Sequence, residues 1–223
     1  MHFYIVRHGQ SFVNLPGWEG DWDAGLTELG QHQARAVAGW LADRVPDAAA
    51  LYASTMRRAR ETMQSISAAY GMAPTFDDRL REIGNNRLDH TAWSADEMPT
   101  EYSEYWASER PFSNVTPSHE LGETHVHFRS RVGSFLEETA RRHPDQAVVV
   151  VAHGGVVEIA LDHIFDVGLF RRTETWTENT GVTHIEYLEP KPRRERWRLH
   201  RHNRTDHLAQ QSAQTKSALE DQI

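Results

Sequence analysis

The run Ala147-Val148-Val149-Val150-Val151-Ala152 constrains the fold of this chain more than any other stretch. Unbroken apolar, β-branched residues over strand length demand burial on both faces, the condition of a central strand in a parallel sheet. The run stops at His153-Gly154-Gly155, and an apolar helical segment follows from Val156 to about Phe165. Phe3-Tyr4-Ile5-Val6 has the same character and stops in the same way, at Arg7-His8-Gly9. In open α/β sheets, ligands bind just beyond the carboxyl ends of strands. Both histidines are therefore expected at one edge of one sheet. A single His-Gly needs no more explanation than a histidine at a turn; two of them, with a guanidinium beside the first, point to chemistry.

The remaining elements alternate around these two strands. Thr27 caps a helix that runs to Arg44, with Leu29, Ala36, Val37, Trp40 and Leu41 apolar at helical spacing. Ala48 to Ala53 reads as a strand ending at Ser54, and Met56 to Tyr70 as a helix stopped by Gly71 and Pro74. Residues 77–123 lack periodicity and predict short helices with a pocket wall or lid. Thr124 to Arg142 is a third helix, turning Val126, Phe128, Val132, Phe135 and Leu136 inward. Thr183–Leu188 and Arg196–His202 alternate, as a late hairpin or sheet edge would. The pattern predicts a three-layer α/β/α sandwich with a mostly parallel central sheet, one domain over residues 1–208, and a flexible tail over 209–223.

Composition narrows the chemistry. With 223 residues and 39% apolar content there is enough material for a sizeable core. Zero cysteines exclude disulfides, thiolate metal sites and a cysteine nucleophile. The N-terminal apolar run ends at Arg7, unlike a signal peptide, and no run approaches the roughly 20 residues of a membrane span. A cytoplasmic enzyme with no membrane contact is the expectation. A formal charge of −8 argues against general nucleic-acid affinity, so any anion must be met by a local cationic pocket.

A third cationic element lies at Ser54-Thr55-Met56-Arg57-Arg58-Ala59-Arg60-Glu61-Thr62, where a helix begins after a strand. Free N–H groups, the helix dipole and a guanidinium would all face a phosphate there. A fourth stretch is Asp78-Arg79-Leu80-Arg81-Glu82-Ile83-Gly84. Taken in order, these four stretches resemble the histidine phosphatase (phosphoglycerate mutase-like) superfamily, phosphatase branch. Gly122-Glu123-Thr124 and Trp197 to Leu208 are weaker echoes of it, so the likeness spans residues 1–208. Asn85-Asn86-Arg87 departs from the Gly-x-Trp-Glu-Gly that often follows the fourth stretch in that family.

The resemblance selects Arg58, rather than Arg57 or Arg60, as the pocket arginine and Glu82 as the acid that protonates the leaving group. It implies a small phosphorylated substrate, no cofactor and no metal. A neutral imidazole among guanidinium groups is suited to attack phosphorus, so His8 would become a phosphohistidine. Arg7, Arg58, His153 and Asn14 would bind the transferred oxygens. Glu82, held protonated by burial, would then also activate water.

Two other activities compete with this reading, the first using the same pocket. Phosphoglycerate mutase-type transfer is echoed at Gly17-Trp18 and Asp23, but residues 85–118 lack an Arg-Arg pair to clamp a second anionic group. A metal-dependent hydrolase is suggested by 14 histidines. His125 and His127 do not share a helix face; His200 and His202 would share a strand face, without a third ligand nearby in sequence. A basic stretch from Lys191 to Arg204 reads as a solvated hairpin rather than a nucleic-acid contact.

Overall fold

The computed structural model describes residues 1–94, 97, 122–168, 174–188 and 196–209. Its sheet has six strands in the order β3-β2-β4-β1-β5-β6, formed by β1 (His2–Arg7), β2 (Ala48–Ser54), β3 (Thr75–Asp77), β4 (Ala147–Ala152), β5 (Val182–Tyr187) and β6 (Trp197–Arg204). β3, β2, β4 and β1 run parallel, whereas β5 and β6 add an antiparallel hairpin against β1. The sheet is thus mostly parallel, as its two apolar runs require. β3, just ahead of the unpatterned stretch, was not expected because a strand of three residues shows no period.

Helices α1 (Glu28–Arg44), α2 (Arg57–Tyr70), α3 (His125–Arg142) and α4 (Gly154–Ile164) cover both faces. Successive side chains of β4 point to opposite faces. Val149 and Val151 pack with Val37, Leu41, Met63 and Ile66 of α1 and α2. Val148, Val150 and Ala152 pack with Phe128, Phe135, Val157 and Ala160 of α3 and α4. The result is the three-layer α/β/α arrangement. The Thr27 hydroxyl accepts from Gly30 N to cap α1, and Gly71 ends α2 with φ of 61°. Two apolar positions face outward more than their spacing implies: Leu29 is exposed and Val126 half-buried, both in the first turn of a helix where the core is not yet reached.

Residue pairing sets the positions of the two histidines. Arg7 of β1 pairs with Ala152 of β4, so His8 and His153 follow side by side at one sheet edge. Gly9 is needed there for close approach and not for a turn of unusual sign. A Cβ on it would lie 2.5 Å from the Gly30 carbonyl oxygen of α1, and one on Gly30 would lie 1.9 Å from that of Gln10. No helix among the described residues is long and apolar enough to cross a membrane. Most of the expected pocket wall (98–121) and of the expected tail (210–223) lies outside the described residues. His207, just before the tail, is buried against Trp40, with Nε2 2.9 Å from Thr180 Oγ1.

Candidate active site

His8 is buried, and its Nδ1 lies 2.7 Å from the carbonyl oxygen of Gly9. A carbonyl oxygen can only accept, so the ring proton must reside on Nδ1. Nε2 is left with its lone pair, which accepts from Arg58 Nε at 3.1 Å. Burial first, and then the charges of Arg58 and Arg7, hold the His8 pKa well below the usual imidazole range, against a smaller upward pull from the Gly9 carbonyl. The free protein therefore presents a neutral, correctly protonated imidazole between two guanidinium groups.

The second histidine is fully enclosed. His153 Nε2 is 2.8 Å from Ser54 Oγ, whose oxygen also accepts from Met56 N. Its Nδ1 is buried without a hydrogen-bond partner. The His8 and His153 rings meet edge to face with centroids 5.1 Å apart. Burial, followed by Arg58 and His8, keeps His153 neutral as well.

The arginines differ sharply in where they go. Arg58 is 5% exposed and, besides His8, donates to the Trp22 carbonyl at 3.3 Å. Asp23 Oδ1 stands 4.0 Å from its Nη1 and accepts from Arg57 N. Burial raises the Asp23 pKa, while the Arg57 N–H and Arg58 pull it down. Arg7 donates to the Thr177 carbonyl at 2.5 Å and leaves a buried Nε without a partner. Arg57 and Arg60 turn outward, one paired with Glu61 and the other stacked on Phe76. Thr62 ties the strand end to α2, accepting from Gly9 N at 3.0 Å and donating to the Arg58 carbonyl.

Glu82 is half-buried rather than enclosed, against the sequence expectation. Its Oε2 accepts from Gly155 N at 3.2 Å and its Oε1 from Ile83 N at 3.0 Å. A Cβ on Gly155 would lie 2.3 Å from Oε1, so glycine is what lets the carboxylate reach the start of α4 beside His153. Asn14 is exposed at the rim; its Oδ1 accepts from Ser11 N, and Asn179 Nδ2 lies 3.4 Å away while also donating to the His8 carbonyl.

Sequence reasoning missed several supports. Arg131 and Glu123, both with fully buried side chains, form a two-pronged pair, and Arg131 also donates to the carbonyls of Arg79, Arg81 and Glu82. Glu123 was visible only as a family echo, and Arg131 reads as an ordinary helix-surface arginine. Trp22, Thr177 and Asn179 come from loops without a motif. Nor do His200 and His202 share a side of the sheet. Ile185 pairs with Leu199 and His184 with Arg201, so a bulge at His200 turns His202 away to Thr183.

Known proteins give the context for this geometry. A putative phosphoserine phosphatase 2 of Hydrogenobacter thermophilus is 34% identical over 82% of this chain and 87% of its own length. A probable phosphoglycerate mutase of Shigella dysenteriae is 26% identical over 85% of this chain and 86% of its own. A solved phosphoserine phosphatase of Entamoeba histolytica, crystallised with phosphoserine, superposes with a TM-score of 0.66 at 21% identity, covering 93% of this chain and 98% of that one. A family model matches residues 3–206, which takes in the strands and helices described above apart from His2 at the start of β1. The chain belongs to the histidine phosphatase superfamily, branch 1.

Proposed function

We propose that the chain hydrolyses small phosphomonoesters without a metal, by way of a phosphohistidine on Nε2 of His8. The observation that carries this reading is the His8–Gly9 hydrogen bond, which fixes the proton on Nδ1 and leaves Nε2 nucleophilic. An in-line attack forms the N–P bond as the ester P–O bond breaks. Arg58, the spare Nε of Arg7 and Nδ1–H of His153 meet the oxygens of the transferred group, and Asn14 adds a donor at the rim. In this reading the Ser54 hydroxyl, which accepts from Met56 N, donates its hydrogen bond to His153 Nε2, so that the ring proton sits on Nδ1 as the donor to phosphate. Glu82 hands a proton to the leaving alkoxide. It then takes one from water as the water oxygen attacks phosphorus and the N–P bond breaks.

Hydrolysis is preferred to mutase-type transfer because the phosphatase relative is the more similar of the two, and because residues 85–118 lack an Arg-Arg pair to grip a second anionic group. Phosphoserine is the first substrate to try, after the relatives' names. A cytoplasmic location goes with this reading. Quenched reactions with a phosphate-labelled ester test the mechanism. Acid-labile, base-stable label is expected on the wild type and none on His8→Ala, whose phosphate release is abolished. Label on serine or aspartate, or isomerised phosphoglycerate without free phosphate, contradicts the proposal.

A further inference from the structure

We infer that His2, His184 and His200 form a binding site for a divalent cation of zinc's class, remote from the catalytic histidines. The three imidazoles come from three neighbouring strands, β1, β5 and β6, and one nitrogen of each lies within 4.8 Å of the other two. His2 Nδ1 is already 3.0 Å from His184 Nε2, and the His184 and His200 rings stack with centroids 4.3 Å apart. Zinc–nitrogen bonds of about 2.0–2.1 Å in a tetrahedron place ligand nitrogens about 3.3 Å from one another. Reaching that spacing requires the His184 and His200 rings to turn out of their near-parallel stack so that their lone pairs meet at one ion. The register Glu186↔Arg198 and Ile185↔Leu199 puts His200 on the same side of the sheet as His184, next to it on the neighbouring strand.

The chemistry of the donors selects the ion. Imidazole binds metal as the neutral ring. A carboxylate stands beside the cluster: Glu186 Oε2 lies 2.8 Å from His200 Nε2, the arrangement that orients histidine ligands in metal sites. Arg198 shares Glu186, and Arg201 adds a further positive charge nearby. These cations disfavour weakly held ions, and nitrogen donors disfavour calcium and magnesium. An ion of zinc's class offers strong enough bonds to nitrogen.

His2 begins β1 and His8 follows its end, about 20 Å apart along the strand at the usual rise per residue. The ion would therefore tie the hairpin to the central sheet and take no part in phosphoryl transfer. Binding only to the folded protein would stabilise it. The test uses untagged full-length protein, stripped of metal, and titrates Zn²⁺ against a chromophoric chelator at pH 7.5. Wild type should bind one equivalent and melt at a higher temperature with zinc. His184→Gln and His200→Gln should each bind at least tenfold more weakly, with phosphate release at the wild-type rate. His200→Gln, on the edge strand, keeps the test decisive if His184→Gln does not fold. No zinc uptake by the wild type, unchanged affinity in the variants, or uptake lost in His8→Ala while His200→Gln retains it, would overturn the proposal.

Discussion

Arg58 sends its Nε–H to Nε2 of His8, the nitrogen proposed to attack phosphorus, whereas its neighbours Arg57 and Arg60 lie on the solvent side of α2. Arg58→Ala is expected to lower the turnover number about a hundredfold, the cost of about 3 kcal/mol for one fixed donor at a developing oxyanion. Arg57→Ala and Arg60→Ala should stay close to wild type in the same assay; equal losses in all three would misplace the pocket arginine. Glu82 is tested by the basicity of the leaving group. Glu82→Gln should slow the burst of alcohol release from an alkyl phosphate far more than that of nitrophenolate, which departs without a proton. Equal bursts from wild type and variant with an alkyl phosphate would remove Glu82 from the acid's role.

Among the elements, the segment carrying Glu82 has little regular structure and is held from outside. Leu80 and Ile83 anchor it in the core, and the Arg131–Glu123 pair from α3 and its N-terminal loop collects its carbonyls. Both partners are buried, so removing one leaves an uncompensated charge. Arg131→Met is predicted to cost about 3–5 kcal/mol in urea unfolding. Its folded fraction should share the leaving-group-dependent defect of Glu82→Gln, because Glu82 loses its backbone anchor. A loss below 1 kcal/mol would show that the clamp is not what holds the segment.

For the molecule as a whole, the buried neutral histidines make stability depend on pH. Burial lowers His8 and His153 far below 6.5 and takes His207 down to about 4. The unfolded chain then binds more protons than the folded one between about pH 6.5 and 4, so stability is full above this window and falls as pH drops through it. His207 alone, 2% exposed, should contribute a loss on the order of 2 kcal/mol between pH 7 and pH 5. Denaturant midpoints at the two pH values check this, and a midpoint equal or higher at pH 5 would show that these rings are charged in the folded phosphatase.

What the sequence determined by itself is the framework and its chemical edge. Two apolar runs ending in His-Gly can only be buried parallel strands, and residue pairing then puts His8 and His153 side by side whatever the loops do. The caps at Thr27 and Gly71 were legible because they satisfy local backbone groups. Contacts distant in sequence were not. β3 is too short for a period, Arg131 gains its meaning only from carbonyls about fifty residues earlier, and Gly155 is required by a carboxylate from another element. The side chain of His202 depends on a register shift that no alternation pattern encodes. Periodicity and turn chemistry are properties of neighbouring residues and can be read along the chain. The proton on His8 Nδ1, the orphaned donors of Arg7 and His153 and the convergence of three imidazoles on a sheet face exist only once distant segments exclude water together.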